Sequence, residues 1–229
     1  MFTKFYRKLL QISPFLLALL LLILLELALA DGLGGIASGL ATFILVPFLL
    51  IYSAIITYLI YKKNNQAKEL LQKIARIDNT WNPYFLKQNI EKAFFKIQEA
   101  RMKRDLTMAR DYVSATLYEK YKAETDRLIR EHRKHILETV RLIETRIVQV
   151  ADYTDDSKDM MWVHIKGSMI DYIVDDQTGE VVSGNTDQAE TLTELWKFIR
   201  GPKGWALDEI DPNVSISDFN KFYSFTEND

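Results

Sequence analysis

The residues of this chain best suited to acid–base or metal chemistry are its 3 histidines and the acids beside them. His132 and His135 fall in the stretch "EHRKHILE", where Leu128 and Ile136 indicate a helix. Two histidines on one helix face could supply part of a zinc site, but no third ligand follows at a recognisable spacing. His132 also continues the apolar stripe of that helix. We therefore expect a hydrogen-bonded core histidine and no metal.

Two further candidates lie in alternating residues that predict a strand. His164 alternates with Trp162 and Lys166, which places it on an exposed face or at the lining of an interior. Asp171 and Tyr172 could pass for an acid–tyrosine pair, but neighbouring strand residues point to opposite faces. The sequence has no cysteine and no P-loop, dinucleotide-binding, nucleophile-elbow or kinase motif. We expect a protein that is not an enzyme and uses no cofactor.

The elements that would position these residues begin with a membrane anchor, predicted over residues 1–63. Two apolar segments, at about 9–30 and 36–61, are each long enough to cross a bilayer as a helix. The Gly-rich turn "DGLGG" joins them. Lysine and arginine flank the outer ends and are absent from the turn, so the positive-inside rule places both termini and the soluble domain in the cytoplasm. This predicts a multi-pass protein of the cell (inner) membrane.

Three details of this hairpin allow more than one interpretation. The basic start and "ALA" before Asp31 also fit a cleavable signal peptide, although the second span alone would keep the rest of the chain cytoplasmic. Gly35 and Gly39 form a small-xxx-small pattern, which serves either packing of the two spans or self-association into a homo-oligomer. Glu26 lies about one turn from "DGLGG", where an interfacial position competes with a proton or ion role.

A group of cations follows the second span and lies near the membrane surface. Its members are Lys62, Lys63, Lys68, Lys73 and Arg76. The later ones belong to a short amphipathic helix predicted over residues 64–80. That helix could lie in the interface, attracted by anionic lipid, or dock on the following domain.

Charge is distributed unevenly along the chain. Before Ala151 there are 23 Lys or Arg and 14 Asp or Glu, whereas from Ala151 onward there are 6 and 17. The basic surplus is spread over helices and lacks the interleaved aromatic residues with which RNA readers stack bases. We expect no nucleic-acid partner.

Residues 81–211 change from a helical to an alternating pattern. Asn82-Pro83 and Asp105 are expected helix starts, and helical spacing continues to about His135. After Leu137 the residues alternate in several strands joined by short turns, including "DDQTGE" with Gly179. Helices followed by an antiparallel sheet predict an α+β domain. The C-terminal tail, residues 212–229, has no predicted structure.

Three stretches of this domain carry a resemblance. "FFKIQEARMKRDLTMARDYVSATLYEKY", "DYIVDDQTGEVVSG" and "TELWKFIRGPKGWALDEI" resemble the C-terminal domain of the 44-kDa subunit of the mitochondrial inner-membrane import translocase. The resemblance covers roughly Asp78 to Asp211 and departs from the family at Arg101, where an aromatic residue is frequent. It implies a nuclear-transport-factor-two-like cone, in which helices cover a curved antiparallel sheet and enclose an apolar pocket. The residues expected to line that pocket are Phe94, Phe95, Ile97, Leu117, Met161, Trp162 and Trp196.

The resemblance also implies a non-catalytic function. We expect a membrane-anchored adaptor that binds a partner protein or anionic lipid, linked to protein transport or membrane-complex assembly. The alternatives are a cone that holds a small hydrophobic ligand, an enzyme of the same fold, and an anchor that serves oligomerisation. Trp196 and Trp205, on either side of "GPKG", are expected on neighbouring strands where they close the core, with Trp196 as an alternative pocket wall.

Overall fold

A computed structural model of the chain describes residues 36–227, with side chains from residue 46 onward. The first predicted span, Glu26 and Gly35 lie outside these residues, and Gly39 lies where only the backbone is described. The elements, in order, are α1 (Ile36–Ile74), a 3-10 turn (Asn79–Trp81), α2 (Pro83–Lys103), a 3-10 segment (Leu106–Tyr112), α3 (Ala115–Arg130), β1 (Arg133–Asp152), a 3-10 turn (Asp156–Lys158), β2 (Met160–Asp175), β3 (Val181–Gly184), β4 (Glu190–Gly201), β5 (Gly204–Asp211), α4 (Ile216–Lys221) and β6 (Phe225–Thr226).

Side-chain caps set most of the helix starts. The Asn82 side chain accepts a hydrogen bond from the Tyr84 N–H, and Pro83 supplies the first helical residue of α2, as predicted. Asp105 caps its own segment in the same way, but that segment is a 3-10 turn and not the expected α-helix. The α-helix begins only after Ser114, whose hydroxyl accepts from the Leu117 N–H.

The prediction that helical structure reaches His135 is wrong. α3 ends at Arg130, and His132 takes a left-handed backbone conformation with φ of 53°. His135 already belongs to β1, where it pairs with Ile173 of β2. The 20-residue β1 pairs along nearly all of β2, and this ladder outweighs the local helical pattern of "EHRKHILE".

The described strands form one curved sheet in the order β5-β4-β2-β1-β6. The pairs are antiparallel, except that β6 runs parallel to β1. β4 pairs with Met160–Met169 of β2 and β3 with the following Tyr172–Val174, so these two strands lie end to end along one edge of β2. Register shifts along β1 mark bulges, which bend and twist a sheet. The predicted α+β class, with helices on a curved antiparallel sheet, is confirmed.

The inner face of the sheet carries the main core, under α2, α3 and the end of α1. Both predicted core-closing tryptophans lie there, on neighbouring strands, and this prediction is confirmed. The Trp205 ring lies 4.4 Å from that of Trp81, and its Nε1 donates to the Thr80 carbonyl at 3.1 Å. Trp196 packs against Phe94 with ring centroids 5.8 Å apart.

The outer face of the sheet is covered by the C-terminal segment, which the sequence alone left without structure. Phe219 and Phe222 are buried there against Val148, Leu195 and Ile60 of α1. Trp162 stacks on Phe222 with ring centroids 5.7 Å apart. Residues 212–227 are therefore a packed layer of the domain and not a free tail.

Candidate functional site

The structure separates the seven residues predicted to line an apolar pocket. Five of them, Phe94, Ile97, Leu117, Met161 and Trp196, are buried together in the inner core. Phe95 points outward with 46% of its surface exposed, and Trp162 lies on the opposite face of the sheet. These five side chains pack against one another in that core, and the apolar pocket that they were expected to line stays a prediction.

The junction between α1 and the domain, close to the predicted membrane segment, is held by both apolar packing and hydrogen bonds. α1 continues without a break from Ile36 to Ile74, through the "KKNN" stretch where the sequence suggested separate elements. Its last two turns and a half bury Ala67, Leu71 and Ile74 in the inner core. The predicted amphipathic helix is thus the end of α1, and its apolar face is docked on the domain rather than on lipid.

Polar contacts join α1 both to β1 and to the C-terminal segment. The Asn64 side chain is buried and donates from Nδ2 to the Ile147 carbonyl at 2.9 Å. The Lys63 ammonium donates to the Phe222 carbonyl of the C-terminal segment. Arg146 of β1 lies over the ring of Tyr61, 6.0 Å from its centroid. α1, β1 and the C-terminal segment therefore form one connected unit.

Of the membrane-proximal cations predicted from the sequence, the structure engages only Lys63 in a hydrogen bond among the described residues. Lys62, Lys68, Lys73 and Arg76 are exposed. The four lysines of the group lie along α1, and Arg76 follows the end of that helix. The group therefore extends away from the apolar segment over about 20 Å, at 1.5 Å per residue. Lys62 is the cation closest to that segment.

A cleft with a volume of about 430 Å³ lies at the far end of α1. Arg200 of β4 lines it and contacts Asp156 at 3.0 Å, Asp159 at 2.9 Å and Asp78 at 2.5 Å. Burial raises the pKa of Asp159, although Arg200 and the Tyr153 N–H favour its charged form. The guanidinium holds three carboxylates together, and the network ties the end of α1 to β4. No local pattern in the sequence predicts this network, because its members are far apart in the chain.

A second polar cluster lies between α2, α3 and the sheet. His135 Nδ1 is 3.0 Å from Asp171 Oδ1, and Arg101 lies 3.6 Å from the same carboxylate. Burial raises the pKa of the neighbouring Tyr121 to about 12. The adjoining cavity has a volume of only about 20 Å³, which is room for one water molecule and not for a substrate.

The remaining candidates for chemistry do not assemble. His132 lies in the turn before β1 and is half exposed, so the expectation of a core histidine is wrong. The helix on which His132 and His135 could have shared a face ends at Arg130. Tyr172 donates to Glu138 on the face opposite Asp171, which confirms that the two neighbours do not cooperate.

His164 is the most unusual titratable group described. It is only 4% exposed, and neither ring nitrogen has a hydrogen-bond partner. Burial lowers its pKa to about 4, against a weak opposing effect of Glu144 at 4.0 Å, so the ring is neutral at physiological pH. Alternation along β2 puts it on the outer face with Trp162, and no described cavity opens beside it.

The fold and these contacts define an α+β domain joined through a continuous helix to an apolar segment. Residues 67–213, well over half of the chain, match the Tim44-like domain family, and the protein belongs to that family. Among curated proteins no sequence matches. The crystal structure of the intermembrane space region of the chloroplast protein ARC6 is similar at 12% identity and a TM-score of 0.39, covering 56% of this chain and 96% of that one.

Proposed function

We propose that this protein is a membrane-anchored, non-catalytic adaptor that holds a partner protein beside the cytoplasmic face of the membrane. The observation that carries the proposal is the unbroken helix α1. Among the described residues it is the one helix long and apolar enough to cross a membrane, and its other end is part of the domain core. A domain held in this way cannot move independently of its anchor, which suits a scaffold.

The packing of α1 also limits the part of the helix that faces lipid. Phe48, Leu50 and Ile51 are exposed apolar residues, whereas Ile60 is buried under the C-terminal segment, with Ile56 and Leu59 packed against the same cluster. Residues 36–55 make about 30 Å of helix, which is enough to cross the hydrocarbon core. The lipid-embedded segment in this proposal therefore ends near Ile55, before the boundary at 61 that hydropathy alone suggests.

The packed inner core supports an adaptor over the alternatives of a ligand carrier or an enzyme. A hydrophobic ligand of ordinary size needs roughly 300 Å³ or more of mainly apolar cavity, whereas the cleft of about 430 Å³ is lined in part by Arg200, Asp78, Asp152 and Asp156. Catalysis needs a proton-transfer group beside a space for substrate. His135 and His164 each lack such a space among the described residues.

The anchoring is tested by charged-maleimide labelling of single cysteines, since the natural chain has none. Variants Ala54→Cys and Tyr61→Cys would be expressed as full chains in intact inverted membrane vesicles. We expect the Tyr61→Cys variant to react and the Ala54→Cys variant to react only after detergent is added. Equal labelling of both before detergent would show that α1 is not embedded up to Ile55.

The adaptor role is tested by photo-crosslinking from the exposed surface in the same membranes. A photoreactive residue would replace Tyr61, Ile77, Phe95, Ile129 or Val182, which are exposed side chains on different parts of α1 and the domain. We expect a discrete protein adduct from at least one position, with anionic lipid adducts confined to Tyr61, beside Lys62. Absence of any protein adduct from all five positions would overturn the adaptor role.

A further inference from the structure

On the side of the sheet formed by β3, β4 and β5, the outermost strands are protected very differently. The outer side of β5 is covered where Val113 bridges to Leu207 and the Ser114 N–H donates to the Leu207 carbonyl at 2.8 Å. The inner side of β5 pairs with β4 only from Leu195 to Gly201. No strand or loop among residues 36–227 pairs with the outer side of β3 or of the first half of β4, residues 190–194. We call these two segments the open edge.

The open edge also lacks the usual protection against strand addition. All four residues of β3 are exposed, and Val181 and Val182 are 52% and 45% accessible. Natural edge strands are commonly blocked by lysine, proline or a covering loop. Between Lys166 and Lys197 the chain contains no lysine, arginine or proline. The backbone groups of the open edge are therefore available to an incoming strand.

The charge of the open edge selects the occupant. Glu180, Asp187 and Glu190 are exposed within residues 180–194, a stretch that contains no cation. The fourth acid of this stretch, Glu194, instead accepts a hydrogen bond from Trp196 Nε1 at 2.7 Å. Glu180 and Glu190 are exposed and form no ion pair described in the structure. A second copy of this chain would place acid against acid, which destabilises cross-strand pairs, whereas a basic segment would place lysine or arginine beside each carboxylate.

We propose that the open edge binds an extended basic segment of a partner protein, which adds to the sheet as a strand beside β3 and β4. Main-chain hydrogen bonds supply the pairing, and alternate side chains of the added strand meet Val181 and Val182 or the flanking carboxylates. The inference rests on the proposed adaptor function and names the chemistry of the partner. It concerns a surface on the sheet, away from the membrane-proximal cations.

The test uses the full chain in nanodiscs of phosphatidylcholine. This lipid carries no net charge, so the lysines of the peptide probe are not attracted to the membrane. The probe is a fluorescent nine-residue peptide in which lysine alternates with valine, followed by anisotropy. A second peptide has the same lysines with proline in place of each valine, and so keeps the charge but cannot form the ladder. We expect the valine peptide to bind and the proline peptide to bind at least about tenfold more weakly, because it lacks the main-chain pairing.

Charge reversal supplies the matched comparison. The double variant Glu180→Lys, Glu190→Lys should weaken valine-peptide binding about tenfold, since two attractions become repulsions. Glu119→Lys, Asp126→Lys makes the same change in net charge on the exposed side of α3 and should leave binding unchanged. Both variants alter exposed side chains, and matching thermal unfolding curves would establish that each remains folded.

Three results would overturn the inference. Equal binding of the proline peptide would mean that charge alone acts, and equal weakening by the α3 variant would mean that the charge is diffuse. Disulfide-linked dimers of a Val182→Cys variant, at twice the protomer mass, would mean that a second copy occupies the edge. Any of these results combined with a membrane cross-link elsewhere would leave the adaptor role intact. Peptide binding at the edge without any partner captured in membranes would instead overturn the adaptor role alone.

Discussion

The two faces of the sheet are built on different principles. The inner face meets helices that are close in sequence to each other and presents an almost wholly apolar core, with Trp81, Phe94 and Trp196 fully buried. The outer face meets α1 and the C-terminal segment, which come from opposite ends of the described chain. It also buries His164 beside the Glu144–Arg146 ion pair. The inner face provides most of the stability, and the outer face connects the domain to its anchor.

The largest effect is expected from truncating the inner core. Phe94→Ala removes a ring that packs on Trp196 and fills the space where a Cβ of Gly167 would lie, so the change leaves a cavity in the core. We expect a loss of about 4 kcal/mol in the free energy of unfolding. Thermal unfolding of the detergent-solubilised full chain measures it, with exposed Phe95→Ala as the adjacent control. Equal effects of the two variants would contradict the inner-core assignment.

A smaller effect is expected on the outer face, from Phe219→Ala. This ring is fully buried but belongs to a cluster of few buried residues, so we expect about 3 kcal/mol or less. Loss of the C-terminal layer should expose Trp162, which stacks on Phe222, and shift tryptophan emission to longer wavelength before the inner core unfolds. A single transition without an early emission shift would show that the two faces unfold together.

The outer face should also make stability depend on pH. Because the folded pKa of His164 is lowered to about 4 from 6.5, the unfolded chain binds the proton more readily. This contribution is fully present above pH 6.5 and is lost as pH falls toward 4. Between pH 7 and pH 5 it amounts to about 2 kcal/mol.

The His164 contribution is isolated by comparison with His164→Leu, which cannot take up a proton. The difference between the unfolding curves of natural and variant chains should change over that pH range, while other carboxylates titrate equally in both. A constant difference between pH 7 and pH 5 would show that His164 is not buried as a neutral ring.

The smallest effect is expected at the junction between the two faces. Asn64→Ala removes the hydrogen bond that the Asn64 side chain donates to the half-buried Ile147 carbonyl, at a cost of about 1 kcal/mol. Hydrogen exchange should speed up at α1 around residue 64 more than in β2. The exposed neighbour Lys68→Ala is the matched control, and equal exchange in both variants would argue against a fixed junction.

Many helices, strands and turns of the domain could be predicted from local sequence pattern. The cap at Asn82-Pro83, the turn at Gly179 and the strands after Leu137 depend on neighbouring residues, and each is present. Local pattern does not decide whether the expected pocket exists, because side-chain alternation does not say whether the inward residues leave space between them. Phe94, Met161 and Trp196 face inward as expected.

Other features were beyond sequence reasoning for a physical reason that they share. The Arg200 network joins residues up to 122 positions apart, and the Lys63–Phe222 contact spans 159. Neither leaves a periodic trace in the chain. The open edge is similar, since its acidic character is visible in the sequence but its lack of a neighbouring strand is not.

The sequence by itself determined the class of this protein: an apolar N-terminal region, an α+β domain of the Tim44-like family and a core closed by two tryptophans. Those features follow from residue type and spacing, which act over a few residues. Only the tertiary structure decided that α1 runs unbroken into the core, that the C-terminal segment covers the outer face, and that β3 and the start of β4 have no neighbouring strand on their outer side among residues 36–227. Those outcomes depend on which distant surfaces bury each other, and local propensity carries no information about that.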